Sequence, residues 1–316
     1  MRMEGWTKKH IIALKDLSRP EIETIFSIAQ NFKEISQREV KKTPALRGKT
    51  VINLFFENST RTRTSFELAA KRLSADVLNF SSSTSSLSKG ESIIDTIKNL
   101  ESYRPDILIV RIGLSASLGV LKKYTKASII NAGDGKNEHP TQALLDMFTV
   151  KEAKGTLEKL KVLIVGDILH SRVARSNIFG FQKFSSAVRV CGPQTLIPYE
   201  FEKMGVEVFY DLDAAIKDVD VVIMLRIQRE RQSGMFFPSI REYVEKFSLT
   251  PTRLKKAKSS CLIMHPGPIN WDIEISSALK EKLHPLILRQ VENGLAIRMA
   301  VLYLIGTQKK DNESTN

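Results

Sequence analysis

Short apolar runs recur along the chain, each closed by a polar turn and followed by a stretch whose apolar positions fall three and four residues apart. The runs lie at 51–56, 107–110, 128–131, 162–165, 187–190 and 219–225. A strand that is apolar on both faces is covered on both faces. When such strands alternate with helical patterns they predict parallel sheets in an α/β protein. The fresh strand at Lys161-Val-Leu-Ile-Val, after a helical stretch and the turn at Gly155, predicts a second sheet. At 316 residues the chain is also long for one core, so two domains are expected, each a parallel β-sheet flanked by helices. The first is expected over 1–138, completed by a C-terminal helix at about 291–308. The second spans 139–290, with the junction within 139–154, and the polar stretch 309–316 reads as a disordered tail.

Two segments break the alternation. Residues 81–88 read SSSTSSLS and run into Lys89-Gly90-Glu91. Such a tract packs poorly, so it reads as a loop, either a linker or a functional lid. The second is 51–73, VINLFFENSTRTRTSFELAAKRL. Here a buried strand leads into Phe66, Ala69, Ala70 and Leu73, at helical spacing. Ser59, Thr60, Arg61, Thr62 and Arg63 therefore fall at a helix N-terminus. Free N–H groups and the positive end of the helix dipole favour an anion there. Hydroxyls and arginine forks add ligands that match phosphate oxygens. The plainer alternative is a Ser/Thr cap with surface arginines. The lysine-bearing P-loop pattern is missing, so a nucleoside triphosphate is not implied.

Composition narrows the chemistry. Hydrophobic residues make up 42% and charged residues 26%, as in globular proteins. No run of about 18 apolar residues occurs, so no membrane span is expected. The first ten residues do not read as a secretory signal, which leaves the cytoplasm as the expected compartment. Two cysteines and five histidines, without CxxC or HExxH spacing, support neither a disulfide framework nor a zinc site. The net charge of +13 fits a field that attracts small anions or a solvated basic surface. Nucleic acid is the weaker reading, because the cations are spread out and aromatics are only 7%.

Further along, His139-Pro140-Thr141-Gln142-Ala143-Leu144-Leu145-Asp146 reads as a helix start with proline in the first turn. Arg111 follows an apolar strand, at the carboxyl end where open α/β sheets place ligands. Arg172 stands on or before the helix that follows Gly166-Asp167. Arg226 and Gln228 lie two apart in an extended run, on one face, where they can grip a carboxylate, with Glu230 near enough to hold the arginine. The plainer alternatives are a cap or packing residue for His139, a solvated loop for Arg111 and a solvated charge cluster for Arg226 and Gln228.

Together these segments resemble the aspartate/ornithine transcarbamoylase family, whose motifs occur here in family order: Ser59-Thr60-Arg61-Thr62-Arg63, Lys89-Gly90-Glu91, Arg111, His139 to Asp146, Ser171-Arg172, Arg226 to Arg231, and His265-Pro266-Gly267-Pro268. The resemblance implies carbamoyl transfer from carbamoyl phosphate to an amine, with no cofactor and no metal. It assigns Ser59, Thr60, Arg61, Thr62, Arg111, His139, Gln142, Gly267 and Pro268 to carbamoyl phosphate. Among these, Thr62, Arg111 and His139 act on the carbonyl oxygen. Lys89, Arg172, Arg226 and Gln228 are assigned to aspartate. Ser85 and Lys89 are implied to serve a neighbouring subunit of a homotrimer, and dihydroorotase or a regulatory subunit is the further partner class.

Members that act on ornithine carry HCLP and DxxxSMG. This chain has His265-Pro-Gly-Pro and lacks the second segment, so a dicarboxylate acceptor is expected. Many members read HPGPxNR or HPAPxNR, where this chain has Asn270-Trp271. The rival readings are a transcarbamoylase for another acceptor, a non-catalytic scaffold for dihydroorotase, and a nucleic-acid-binding protein.

Overall fold

The computed structural model describes residues 6–81, 91–227 and 239–308. It divides into two compact units, 1–135 with 294–316 and 136–293. The seryl tract from residue 82 on, with Ser85 and Lys89, lies outside the described residues, as do Gln228, Glu230 and the tail 309–316.

The first unit is built on strands β1 (Thr50–Phe55), β2 (Asp76–Ser81), β3 (Ile107–Ile112) and β4 (Ser128–Asp134), in the order β2-β1-β3-β4, all parallel. Helices α1 (Arg19–Ser36), α2 (Thr60–Arg72), α3 (Ile93–Glu101) and α4 (Leu118–Leu121) complete the strand–helix alternation. Successive residues of a strand face opposite ways. Accordingly Ile52, Leu54, Leu108 and Val110 join Ile97 and Leu100 of α3 and Leu118 and Leu121 of α4 in one buried cluster. Polar pairs interrupt the apolar sheet: register partners Asn53 and Asn79 are joined by a 2.8 Å bond from Asn53 Nδ2 to Asn79 Oδ1, and on β4 buried Asn131 Nδ2 donates to Asp134 Oδ1 at 2.8 Å.

The second unit holds β5 (Lys161–Val165), β6 (Ala187–Cys191), β7 (Glu207–Phe209), β8 (Val221–Met224) and β9 (Leu262–Met264), in the order β7-β6-β5-β8-β9, again all parallel. Its helices are α5 (Pro140–Lys154), α6 (Arg172–Gln182), α7 (Leu212–Ala215), α8 (Ile240–Phe247) and α9 (Pro251–Leu254). The helix α10 (Lys280–Gly306) starts in the second unit and ends in the first. Its last part buries Ile297, Val301, Leu302 and Leu304 completely. A methyl group on Gly306 would lie 2.6 Å from Leu46 Cδ2, so a side chain at this turn would require Leu46 to shift. Arg298 ties this segment to α2, with Nη1 donating to Ser65 Oγ at 2.8 Å and the guanidinium 5.1 Å from the Phe66 ring centroid.

The open edge of β4 is covered by residues 10–12. Ile11 N–H donates to Ile129 O at 2.9 Å, and Asn131 N–H donates to Ile11 O at 2.8 Å. His10 extends this pairing, its Nδ1 accepting the Ile129 N–H at 3.0 Å. Burial, reinforced by Lys9 and Lys122, lowers the pKa of His10 from 6.5 to about 4. A lowered histidine pKa means the unfolded chain binds the extra proton first. The contribution of His10 is therefore complete above pH 6.5 and is lost as pH falls toward 4. His10→Asn, which keeps an acceptor but cannot titrate, should show a shallower loss of urea midpoint across that window. Parallel pH profiles for the two proteins would rule the coupling out.

Candidate active site

In the first unit the candidate residues collect at the carboxyl ends of β1 and β3. Phe55, the last residue of β1, is in register with Arg111 of β3, and Phe56 N–H donates to Arg111 O at 2.8 Å. Arg111 thus lies within the strand, one residue beyond the apolar run that marks it in the sequence. The chain leaves β1 through Glu57 and Asn58 and enters α2 at Thr60, with Ser59 as N-cap. The Ser59 side chain caps none of the helix's free N–H groups. Its Oγ donates instead to Thr62 Oγ1 at 3.0 Å, which gathers two hydroxyls at the helix start. Thr62 is buried, whereas Thr60 and Arg61 are exposed. Hydroxyls and cations at a dipole-positive helix end form an anion cradle.

The Arg111 guanidinium is held from two sides. Nη1 donates to Ala132 O at 3.2 Å, and Nε lies 3.5 Å from Glu57 Oε2. Glu57 escaped the sequence reading. Its only signal there is a carboxylate inside an otherwise cationic motif.

In the second unit His139 is the N-cap of α5, with Pro140 at the first helical position. Ser176 Oγ accepts the His139 N–H at 2.9 Å and donates to Glu138 Oε2 at 2.9 Å, which fixes the backbone at the helix start. Nearly all of α5 from Pro140 to Val150 is buried, with Gln142 half-buried among them. Gln142 Nε2 donates to Asp146 Oδ1 at 3.1 Å, one turn further on.

Arg172 is the first residue of α6 and is buried, following the N-cap Ser171, whose Oγ accepts from Ala174 N–H at 3.1 Å. The turn before it depends on close backbone contact. A methyl group on Gly192, at the end of β6, would lie 2.4 Å from the Gly166 carbonyl oxygen. Asp167 closes the same turn by accepting from His170 N–H at 3.1 Å and facing His170 Nδ1 at 2.8 Å.

Arg226 follows β8. Leu225 N–H donates to Val165 O at 2.8 Å on one side, and Ile227 N–H donates to Glu274 Oε1 at 3.0 Å on the other. Glu274 is fully buried and also accepts from Asn270 N–H and Asn270 Nδ2, each at 2.7 Å. His265 Nε2 lies 3.3 Å from the same carboxylate. The His265 to Pro268 loop is folded back on itself, with Gly267 N–H donating to His265 Nδ1 at 2.8 Å. Gly267 has φ +64 and the Gly267–Pro268 bond is cis.

The first unit therefore brings Ser59, Thr60, Arg61, Thr62 and Arg111 to adjoining strand ends. The second fixes His139, Gln142, Arg172, Arg226, Gly267 and Pro268 on its own framework. Neither cysteine is tuned for nucleophilic work, since burial pushes both Cys191 and Cys261 up to about 12. Among the described residues no group of three His, Cys, Asp or Glu side chains is placed to hold a metal ion, and no helix is long and apolar enough to cross a membrane.

Two family models match the chain. The aspartate/ornithine carbamoyltransferase carbamoyl-P binding domain matches residues 9–152, and the Asp/Orn binding domain of the same family matches 158–305. The aspartate carbamoyltransferase catalytic subunit of Syntrophomonas wolfei is 55% identical over 298 residues, covering 94% of this chain and 96% of that protein. Among solved structures, Trypanosoma cruzi aspartate transcarbamoylase in complex with carbamoyl phosphate and aspartate superposes with a TM-score of 0.85 at 29% identity. That alignment covers 95% of this chain and 97% of the other. Ornithine carbamoyltransferase from Pyrococcus furiosus superposes almost as well, with a TM-score of 0.84 at 30% identity, over 95% of this chain and 98% of that one. The fold alone therefore does not choose the amine acceptor, whereas full-length sequence likeness and two family models agree on the lineage. The chain belongs to the aspartate/ornithine carbamoyltransferase family.

Proposed function

We propose that the chain transfers the carbamoyl group of carbamoyl phosphate to the α-amine of L-aspartate, giving N-carbamoyl-L-aspartate and phosphate, an early step of de novo pyrimidine synthesis. The observation that carries this reading is the hydroxyl-lined N-terminus of α2 beside Arg111, an arrangement suited to the phosphate of an acyl phosphate. In this scheme Ser59, Thr60, Arg61 and Thr62 hold the phosphate, and Gln142, Gly267 and Pro268 take the carbamoyl end. Arg172, Arg226 and Gln228 orient the aspartate carboxylates.

The amine nitrogen forms a bond to the carbonyl carbon as negative charge builds on the carbonyl oxygen. Thr62, Arg111 and His139 donate to that oxygen. The carbon–oxygen bond to phosphate then breaks, and the departing phosphate takes the amine proton. Preorganised donors of this kind act mainly on the transition state. Aspartate is preferred over ornithine because the residues assigned to the acceptor are cations and an amide, which suit two carboxylates. The active form is a homotrimer in the cytoplasm, with Ser85 and Lys89 of each copy serving a neighbour.

The departure at Trp271 is compatible with activity. Trp271 packs against the buried cluster around Leu249, Ile275 and Leu279, and its ring lies 5.9 Å from Lys280 Nζ. The adjoining loop is held by Glu274 and His265, and residue 271 adds a backbone bridge to Ile275 that does not depend on its side chain. Trp271→Arg should accordingly leave kcat/KM within about threefold of the parent, since the groups assigned to substrate are untouched. A gain above about tenfold would show instead that an arginine at this position contributes to catalysis.

The reaction itself is tested by supplying carbamoyl phosphate with aspartate or with ornithine to the purified protein. Carbamoyl-aspartate from the first and no citrulline from the second is the expected result. Citrulline alone, or neither product from folded protein, would overturn it.

A further inference from the structure

Asp146 sits one helical turn after Gln142, fully buried, and its two oxygens gather side-chain N–H groups from three elements. Gln142 Nε2 and Gln290 Nε2 donate to Oδ1 at 3.1 and 2.8 Å, and Asn177 Nδ2 donates to Oδ2 at 3.0 Å. Because these oxygens accept, each amide that meets them must turn its nitrogen inward. Gln290 is fixed at its other end as well, where its Oε1 accepts the His265 N–H at 3.2 Å. One buried amide on α10 therefore joins the start of the His265 to Pro268 loop to the carboxylate that orients Gln142.

The consequence is polarity. A carbamoyl –NH2 can only donate, so a glutamine that recognises it must offer oxygen. With Nε2 committed to Asp146, Gln142 has Oε1 left to accept. Were the amide to turn over, it would set nitrogen against the substrate's nitrogen and oxygen against Asp146. We propose that Gln290 is a positioning residue for carbamoyl recognition, fixing the orientation of the Gln142 amide through Asp146 while holding the His265 loop by the same side chain. This rests on the reading of Gln142 as the residue that holds the carbamoyl amide.

The donors that meet Asp146 beside Gln142 do different work. Asn177 belongs to α6 and also donates to Val173 O at 3.1 Å, so it anchors Asp146 to its own helix. Gln290 is the member that touches the substrate loop. Removing it leaves Asp146 with one donor fewer in a site closed to water, and Gln142 is then the side chain free to rearrange.

The test uses inorganic phosphate as a probe that shares the anion site but has no carbamoyl amide. Gln290→Met, Gln142→Ala and the double variant are assayed together. Gln290→Met should raise KM for carbamoyl phosphate about tenfold while the inhibition constant of phosphate stays within about twofold. The double variant should lose less than the two single losses combined, because the two changes share the interaction that runs through Asp146. Gln290→Glu provides a second readout should the methionine variant fold poorly. It sets two carboxyl groups together, and its defect should shrink as pH falls toward roughly 5, when a shared proton restores a donor.

Phosphate inhibition weakening in step with KM, additive losses in the double variant, or a pH-independent Gln290→Glu defect would each overturn the proposal in favour of a merely structural role. An unchanged KM in Gln142→Ala would remove the reading of Gln142, and the proposal with it. That outcome is read from the single variant alone.

Discussion

Replacing Arg111 with alanine is expected to lower kcat about a thousandfold, the upper end of what a single preorganised donor supplies to a developing oxyanion. The reason lies in how the guanidinium is held. It is carried at the end of a central strand, with Ala132 O and Glu57 fixing its plane, so little side-chain entropy remains to be lost when charge develops on the substrate. Arg111→Lys keeps the charge but loses the planar fork, and should recover less than about tenfold of the lost rate. Steady-state kinetics with both substrates saturating would measure this. A loss below about tenfold in a variant with an unchanged circular dichroism spectrum would remove Arg111 from the scheme.

The second large effect is expected at the acceptor. Arg226→Ala should raise KM for aspartate about 10- to 100-fold, corresponding to the roughly 1.5–3 kcal/mol of a hydrogen bond to a charged group. Inhibition by inorganic phosphate should stay constant. The local backbone should survive the change, because it is Leu225 N–H and Ile227 N–H that tie this stretch to β5 and Glu274. An unchanged aspartate KM, or equal weakening of phosphate, would assign the acceptor carboxylates elsewhere.

How much of this was legible in the sequence depended on how local the signal was. The strands found by their apolar runs, β1, β3, β4, β5, β6 and β8, include every interior strand of both sheets. Burial on both faces makes such strands apolar throughout. The three that escaped, β2, β7 and β9, are all at sheet edges. Asp76, Asn79 and Glu207 dilute the pattern in two of them, and β9 spans three residues.

The same distinction holds for the site. The helix-start motif of α2 was readable because its ligands are consecutive. Asp146 could have been found by its i, i+4 spacing from Gln142, at which side chains on a helix meet. Gln290 could not, since it lies 144 residues from the carboxylate it bonds and nothing around it in the chain marks it.

The division of α10 between the two units has a consequence for the order of synthesis. Residues 1–135 cannot complete their core until residues 294–306 have been made. Those late residues include the fully buried Ile297, Val301, Leu302 and Leu304, and Arg298 that braces α2. Between the two parts the ribosome must add about 158 residues, which at about 5–20 residues per second takes on the order of 8–30 s. During that interval the four-stranded sheet waits with an uncovered apolar surface. The middle of the chain, 136–293, has all its parts as soon as it emerges. The unit encoded first is thus the last to be finished, and a nascent chain stalled before residue 294 would expose the surface that chaperones bind.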